Sequence, residues 1–299
     1  MRDALFADSQ FERPCGRSPV TALLVLVGAL AHGPRAAHAE GHGPAFGLST
    51  PTLARGQWSS DTVAMQLETE AGSMTMYREM LGYGITEDLQ ALLTVPLAQR
   101  ADPGAMVTRT RVGVMMGAFE EVEASLLWRF HRVAPSVGAR LESTLLMGLS
   151  VPTEARRGRV AASEGINVAA VTGYASRRTY WWLGAGLQHY LPDGGDQLGN
   201  LYYASAVLGW RPPIFRRDYP KPDWRVFLEM LGESAEKNRV ADQRDPSSGG
   251  EKLLAGPSVL GLYGRWGVEA GVLWPILQSL PGPQPEERYR AKMVFTYWF

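Results

Sequence analysis

The chain is poor in cysteine and histidine and carries no net charge, and each shortage closes off a class of function. Its single cysteine, Cys15, lies ahead of an apolar run. No disulfide framework therefore holds the fold together, and no lipoprotein cysteine follows that run. The histidines number five. Three of them, His42, His131 and His189, lie beyond the leader, and no two of these stand at metal-ligand spacing. Thirty Lys and Arg balance thirty Asp and Glu, which leaves no basic excess to attract nucleic acid. No phosphate-cradling loop is present, since Ser247-Ser248-Gly249-Gly250 is followed by Glu251 rather than by Gly-Lys-Ser/Thr. Ser143 and Ser205 have no histidine beside them in sequence from which to build a nucleophilic triad. No catalytic residue, metal ligand or cofactor is expected. Beyond the leader, no apolar run reaches the length of roughly 18 residues that a spanning helix needs.

What is present begins with that leader. Val20 to Ala31 is almost wholly apolar, about a dozen residues long and too short to span a bilayer. Arg13 and Arg17 precede it and Ala37-His38-Ala39 follows it, the layout of a secretory signal peptide. Cleavage is expected after Ala39. The chain then divides into a signal peptide at 1–39, an N-terminal periplasmic segment at 40–56 and a barrel domain at 57–299.

Periodicity sets the fold class. From Arg288 the sequence reads RYRAKMVFTYWF. Tyr289, Ala291, Met293, Phe295, Tyr297 and Phe299 share one face of a strand, and Arg288, Arg290, Lys292, Val294, Thr296 and Trp298 share the other. The oily face carries aromatics at both ends, as an interfacial girdle does. Phe295, Tyr297 and the final Phe299 resemble the C-terminal assembly signal of outer-membrane proteins. Upstream, Val122, Ala124, Leu126, Trp128 and Phe130 oppose Glu121, Glu123 and Arg129, and Leu145, Met147 and Leu149 oppose Arg140, Glu142 and Thr144. Trp224, Val226, Leu228 and Met230 oppose Arg225, Glu229 and Glu233, and Val268, Ala270 and Val272 oppose Glu269. A soluble sandwich would turn the apolar faces inward and a membrane barrel would turn them to lipid. The export signal, the aromatic strand ends and the terminal Phe favour lipid.

Twelve strands are expected, at 58–70, 73–83, 88–97, 120–131, 139–151, 165–175, 178–191, 200–211, 223–235, 252–262, 265–275 and 287–299. Residues 106–117 offer an additional strand. The connections are mostly alternately short and long, which suits short periplasmic turns and longer outer loops, and an even count puts both termini in the periplasm. The short Ala71-Gly72 connection and the long 212–222 connection break that alternation. The expected fold is all-β, a transmembrane antiparallel up-and-down barrel in the bacterial outer membrane.

The polar faces then line a lumen of mixed charge: Glu121, Glu123, Arg129, Arg140, Glu142, Arg225, Glu229, Glu269, Arg288, Arg290 and Lys292. Because the last strand meets the first, Arg288, Arg290 and Lys292 are expected to form an ion-pair belt with Gln66, Glu68 and Glu70. Tyr180, Tyr203 and Phe227 are read as lumen aromatics. His131 is expected at the periplasmic rim and His189 on the apolar face. The partners implied are outer-membrane lipid, the outer-membrane assembly machinery and a small solute.

The segments HGPAFGLSTPTLARGQW, LGYGITEDLQALLTVPL, LLWRFHR and LLMGLSVPT, with the terminal YWF, are spaced along nearly the whole exported chain. In that order they resemble the outer-membrane barrels named after the MetA pathway of phenol degradation. The resemblance implies a tight periplasmic turn at Tyr83-Gly84-Ile85-Thr86 and a strand entering an outer loop at Leu149 to Thr153. It also implies passage of small, often hydrophobic molecules. A passive channel is therefore the expected function. A barrel-embedded hydrolase and a structural barrel with a closed lumen are the alternatives, and conductance separates them from it.

Overall fold

The computed structural model describes residues 43–102, 121–153, 164–216 and 221–299. The leader at 1–39, His42 and the additional strand considered at 106–117 lie outside them. Twelve long strands run in chain order as β1 (Trp58–Thr69), β2 (Gly72–Gly84), β3 (Leu89–Ala101), β4 (Glu121–Ser136), β5 (Ala139–Pro152), β6 (Gly165–Ala175), β7 (Thr179–Tyr190), β8 (Leu201–Trp210), β9 (Asp223–Ala235), β12 (Gly250–Tyr263), β13 (Trp266–Ser279) and β14 (Glu287–Trp298). Two further strands, β10 (Arg239–Val240) and β11 (Gln243–Arg244), form a small separate hairpin between β9 and β12. Each long strand pairs antiparallel with its neighbour in sequence, and β1 pairs with β14 to close the barrel. All twelve expected strands are present. The hairpin inside the 236–251 connection was not anticipated, because two-residue strands are too short to show a period.

The turns follow from local chemistry. Tyr263 pairs with Trp266 across Gly264-Arg265, and Gly264 has φ +56°. A two-residue hairpin turn needs that left-handed backbone, and glycine adopts it without steric cost. Both ends of the barrel domain's chain lie at the short-turn end, where Ser59 pairs with Trp298.

The alternation seen in sequence becomes an inside and an outside. Outward residues such as Trp128, Phe130, Leu149, Leu183, Leu208 and Leu228 are each at least half exposed, whereas Glu229 and Arg290 have no exposed surface. Aromatics crowd the outer wall at the short-turn end: Trp58 lies 4.6 Å from Tyr83, Trp128 5.8 Å from Phe130, and Trp266 4.4 Å from Tyr297. Tyr202 and Trp274 are exposed toward the long-loop end.

One expectation is corrected at the start of the chain. The segment assigned to the periplasm, 40–56, does not stay outside the barrel over its described part. Ala45, Phe46, Leu48, Thr50, Thr52 and Leu53 are all buried, within the ring of strands. A buried backbone must find partners for its N–H groups, and the wall supplies them. The Leu53 amide donates to Gln90 Oε1 at 2.8 Å, and the Leu48 amide donates to Ser205 Oγ at 3.0 Å.

The inner segment also overturns the expected face of β1. Gln66 and Glu68 point outward and Glu70 lies exposed beyond the strand, while Met65 and Leu67 point in. There they pack in one cluster with Ala45, Phe46, Met74, Met76, Leu231, Leu254 and Leu273. A strand facing a peptide plug rather than water buries apolar side chains on its inner face, so the usual polar-inside rule inverts.

Candidate functional site

The interior of the barrel is the candidate site, and its charges fall into three groups by height. Near the short turns, Arg129 of β4 donates to Glu142 Oε1 at 3.1 Å, to Asp88 at 3.0 Å and to the carbonyl of Glu87 at 2.6 Å. Arg140 lies 3.5 Å from the same Glu142 carboxylate. Thr50 of the inner segment donates to it at 3.3 Å. On the opposite wall Asp223 takes Arg211 at 2.5 Å, and Arg225 reaches it at 3.5 Å.

At mid-height Glu229 of β9 grips the inner segment. Its carboxylate accepts the backbone N–H groups of Ala45 at 2.8 Å, Phe46 at 2.8 Å and Gly47 at 2.6 Å, together with the Ser258 hydroxyl. Lys292 donates its ammonium to the Ala45 carbonyl, and Glu269, Glu229 and Asp61 act on it electrostatically. Carboxylate and ammonium thus hold donors and acceptors of the same stretch of peptide.

Toward the long loops Arg290 sits between two acids. It forms a two-bond fork with Glu233 at 2.9 and 3.1 Å and another with Glu287 at 2.8 and 2.9 Å. Lys252 closes the set on Glu287 at 2.9 Å. Glu121 and Glu123 are buried in the outer half of β4, where Ser125 donates to Glu123 at 2.9 Å.

Arg288 does not join this interior. The register between β1 and β14 shifts after Glu68, so that Tyr289 stands opposite Glu68 and Glu287 opposite Thr69. The extra residue bulges and Arg288 is turned outward to an exposed position, while Glu287 takes the inward place. The ion-pair belt therefore joins Arg290 to Glu233 of β9 and, through Glu287, to Lys252 of β12, rather than to Gln66, Glu68 and Glu70. Sequence reasoning missed Glu287, Lys252, Arg78 and Asp61 as interior charges. Lys252 was readable, since it shares the alternation of the buried Leu254 and Leu260. Glu287 was not, because the bulge leaves no sequence signal.

An aromatic cluster flanks the inner segment. Tyr180 stacks on Trp182 with ring centres 5.8 Å apart, and Phe227 lies 6.2 Å from Tyr180 and 6.0 Å from Trp182. The Tyr203 hydroxyl donates to Asn167 at 2.8 Å, and the Trp182 indole donates to Thr50 Oγ1 at 3.1 Å. Arg225 lies over the Tyr180 ring at 5.2 Å. Leu48 belongs to the same apolar cluster. It fits because Gly184 faces it: a β-carbon there would lie 3.0 Å from that of Leu48. Gly271 makes equivalent room for the Phe46 ring.

The candidate assembly residues lie elsewhere. Phe295 is exposed on the outer wall, and Tyr297 and Phe299 are partly exposed. His131 is exposed beyond a bulge in β4, and His189 lies near Asn200 Oδ1 at 2.7 Å. Among the described residues no group of acids, histidines and cysteines is arranged to hold a metal.

A closed antiparallel barrel that buries its charges and exposes its apolar side chains has the fold of an outer-membrane β-barrel. No family model and no curated protein matches the sequence. Among solved structures, the chain is similar to the COG4313 outer membrane channel from Pseudomonas putida F1, with a TM-score of 0.58 and 12% identity over 84% of this chain and 98% of that one. It also aligns with the NanC porin, at a TM-score of 0.46 and 6% identity over 80% of this chain and 98% of that one. The first of these likenesses agrees with the outer-membrane barrel fold; neither bears on the solute.

Proposed function

We propose that the protein is a passive outer-membrane channel for small, mainly hydrophobic or aromatic molecules, and that residues 43–57 close it at rest. The observation that carries this reading is how the inner segment is held. Its apolar side chains sit in slots left by glycines, and its backbone is caught by hydrogen bonds from side chains of several strands. No covalent bond anchors it to the wall, and every contact it makes is one that water or a solute can replace. In this state Leu254, Leu260, Leu273 and Val294 have no exposed surface, so water does not reach these wall positions. With the segment withdrawn, a solute would meet Tyr180, Trp182, Tyr203 and Phe227 opposite the mixed-charge wall. Such lining favours a flat apolar solute over a sugar. The resemblance to the phenol-degradation barrels points to the same solute class.

The test is a reversible lock. Leu48→Cys with Gly184→Cys places two β-carbons 3.0 Å apart, so the inner segment must give slightly to reach the roughly 3.5–4.5 Å that a disulfide spans. The oxidised protein should be silent in planar bilayers and should conduct after reduction. Equal currents before and after reduction would remove the inner segment from the gating scheme. A protein silent in both states, with no uptake of aromatic solutes into liposomes, is the structural barrel of the second reading. That reading is favoured by the same zero exposures, which describe a filled interior.

A further inference from the structure

The β10–β11 hairpin carries an arrangement that closing a barrel does not require. Arg239 stands directly opposite Arg244, so both side chains leave the same face of a two-stranded ribbon. Like charges so placed repel, and arginine cannot shed its charge to relieve the repulsion. Among the described residues neither guanidinium has an ion-pair partner. The turn that brings them together is itself unfavourable: Ala241 has φ +50° and Asp242 +63°, a left-handed backbone that residues with a β-carbon rarely adopt.

The surroundings hold this turn in place. The Ala241 amide donates to Asp196 Oδ1 and the Asp242 amide to the Gly195 carbonyl, each at 2.8 Å. Gln197 and Arg239 exchange backbone bonds of 3.0 and 2.7 Å. The Asn238 amide donates to Ser248 Oγ at 2.8 Å. A neighbouring loop thus braces a strained hairpin that presents two cations with no ion-pair partner among the described residues. Beside it lies a cavity of about 660 Å³, bordered by Lys237, Arg239, Arg244, Gln197, Asn200 and Ser248. Glu236 and Glu251 also border it, and Glu236 takes the Tyr202 hydroxyl at 3.3 Å. Three cations stand against two carboxylates among the residues that border the cavity.

We propose that this cavity binds a phosphate monoester, with the phosphate between Arg239 and Arg244. A dianion cancels both guanidinium charges at once, and each guanidinium offers a planar fork to its oxygens. The cavity exceeds a bare phosphate, and its amide and hydroxyl lining suits a sugar attached to it. Two sources carry that chemistry: a soluble sugar phosphate, or the phosphorylated sugar headgroup of outer-leaflet lipid. The exposed Tyr202 and Leu277 nearby put the cavity close to the lipid edge.

The full chain, folded in detergent, is titrated calorimetrically with glucose 6-phosphate and with diphosphorylated lipid A in mixed micelles. Glucose and dephosphorylated lipid A serve as matched probes. Saturable binding of a phosphorylated probe, absent for its matched partner, is expected. Binding of glucose 6-phosphate identifies a soluble ligand, and binding of lipid A alone identifies the headgroup. Arg239→Gln and Arg244→Gln should each weaken binding about tenfold or more, the loss of a charge-assisted pair. Arg239→Lys keeps the charge without the fork and should fall between. No binding of either phosphorylated probe, or wild-type affinity in the double glutamine variant with normal heat-modifiable migration, overturns the proposal.

Discussion

Replacing Glu229 by alanine tests the closed state most directly. The substitution removes one carboxylate and leaves three buried N–H groups, those of Ala45, Phe46 and Gly47, without their acceptor. Each orphaned buried donor costs about 1–3 kcal/mol. The cost falls on the closed state alone, because a withdrawn segment gives these amides to water. Water entering the space left by the side chain would repair part of the loss, so the lower end applies, about 3 kcal/mol in all. At 1.4 kcal/mol per decade, the ratio of open to closed barrels should rise roughly a hundredfold. Lys292 keeps Glu269 and Asp61 as electrostatic neighbours, so the variant does not strand that ammonium. The assay is single-channel recording in planar bilayers, with the conducting fraction compared at one voltage. Glu229→Gln keeps one acceptor oxygen and should give a smaller rise. If Glu229→Ala inserts normally, migrates as a folded barrel and conducts for the same fraction of time as wild type, the grip described here does not close the channel.

Other outcomes follow from the same geometry. Leu126→Arg puts a charge on an outward side chain that is 43% exposed, at a cost of about 2–4 kcal/mol near the bilayer midplane, and should abolish heat-modifiable insertion; Phe295→Asp should impair it less. Arg290→Met leaves Glu233 and Glu287 facing each other without their shared cation, and urea titration should show a loss of about 3–5 kcal/mol. Phe227→Ala and Tyr203→Ala should slow liposome uptake of aromatic solutes more than that of sugars of similar size; unchanged rates would remove the aromatic cluster from the pathway. Asp102, in the loop after β3, accepts the amide and hydroxyl of Ser73 at 2.9 Å each, and these bonds hold its carboxyl below the ordinary aspartate range. A depressed folded value stabilises above the unfolded one, so hydrogen-exchange protection of the Ser73 amide should persist through the usual aspartate titration and fall only at more acid pH.

The strands were readable because most of the twelve segments alternate with a period of two, although Met, Gly, Arg78 and Pro257 blur the pattern at 73–83 and 252–262, and because charge and bulk separate cleanly on β4, β5, β9 and β14. That separation also placed Glu229, Arg290 and Lys292 on the interior face. Two features did not show. The inner segment has no period of its own, since it crosses the lumen as irregular chain and takes its order from groups far away in sequence, such as Glu229 and Gln90. Once it is inside, the polarity rule fails on β1, where Met65 and Leu67 turn inward against Phe46. A single-residue bulge then exchanged Arg288 for Glu287, a shift that reverses the facing of a side chain without altering the pattern around it.

The placement of the inner segment has a consequence for the order of assembly. β14 is the last strand of the chain, and the β1–β14 seam is the ladder that turns a curled sheet into a ring. Residues 43–57 are tethered directly to β1, one side of that seam. Threading them into a finished ring would drag Phe46 and Leu48 past Arg129 and its partners at the mouth. A sheet still open at one edge can instead curl around them, burying Leu48 against Trp182 and Phe46 against Leu231 before the seam zips. On that route the peptide that later obstructs the bore first serves as the mandrel on which the cylinder is rolled, and substitutions at Phe46 or Leu48 should slow closure as well as loosen the finished plug.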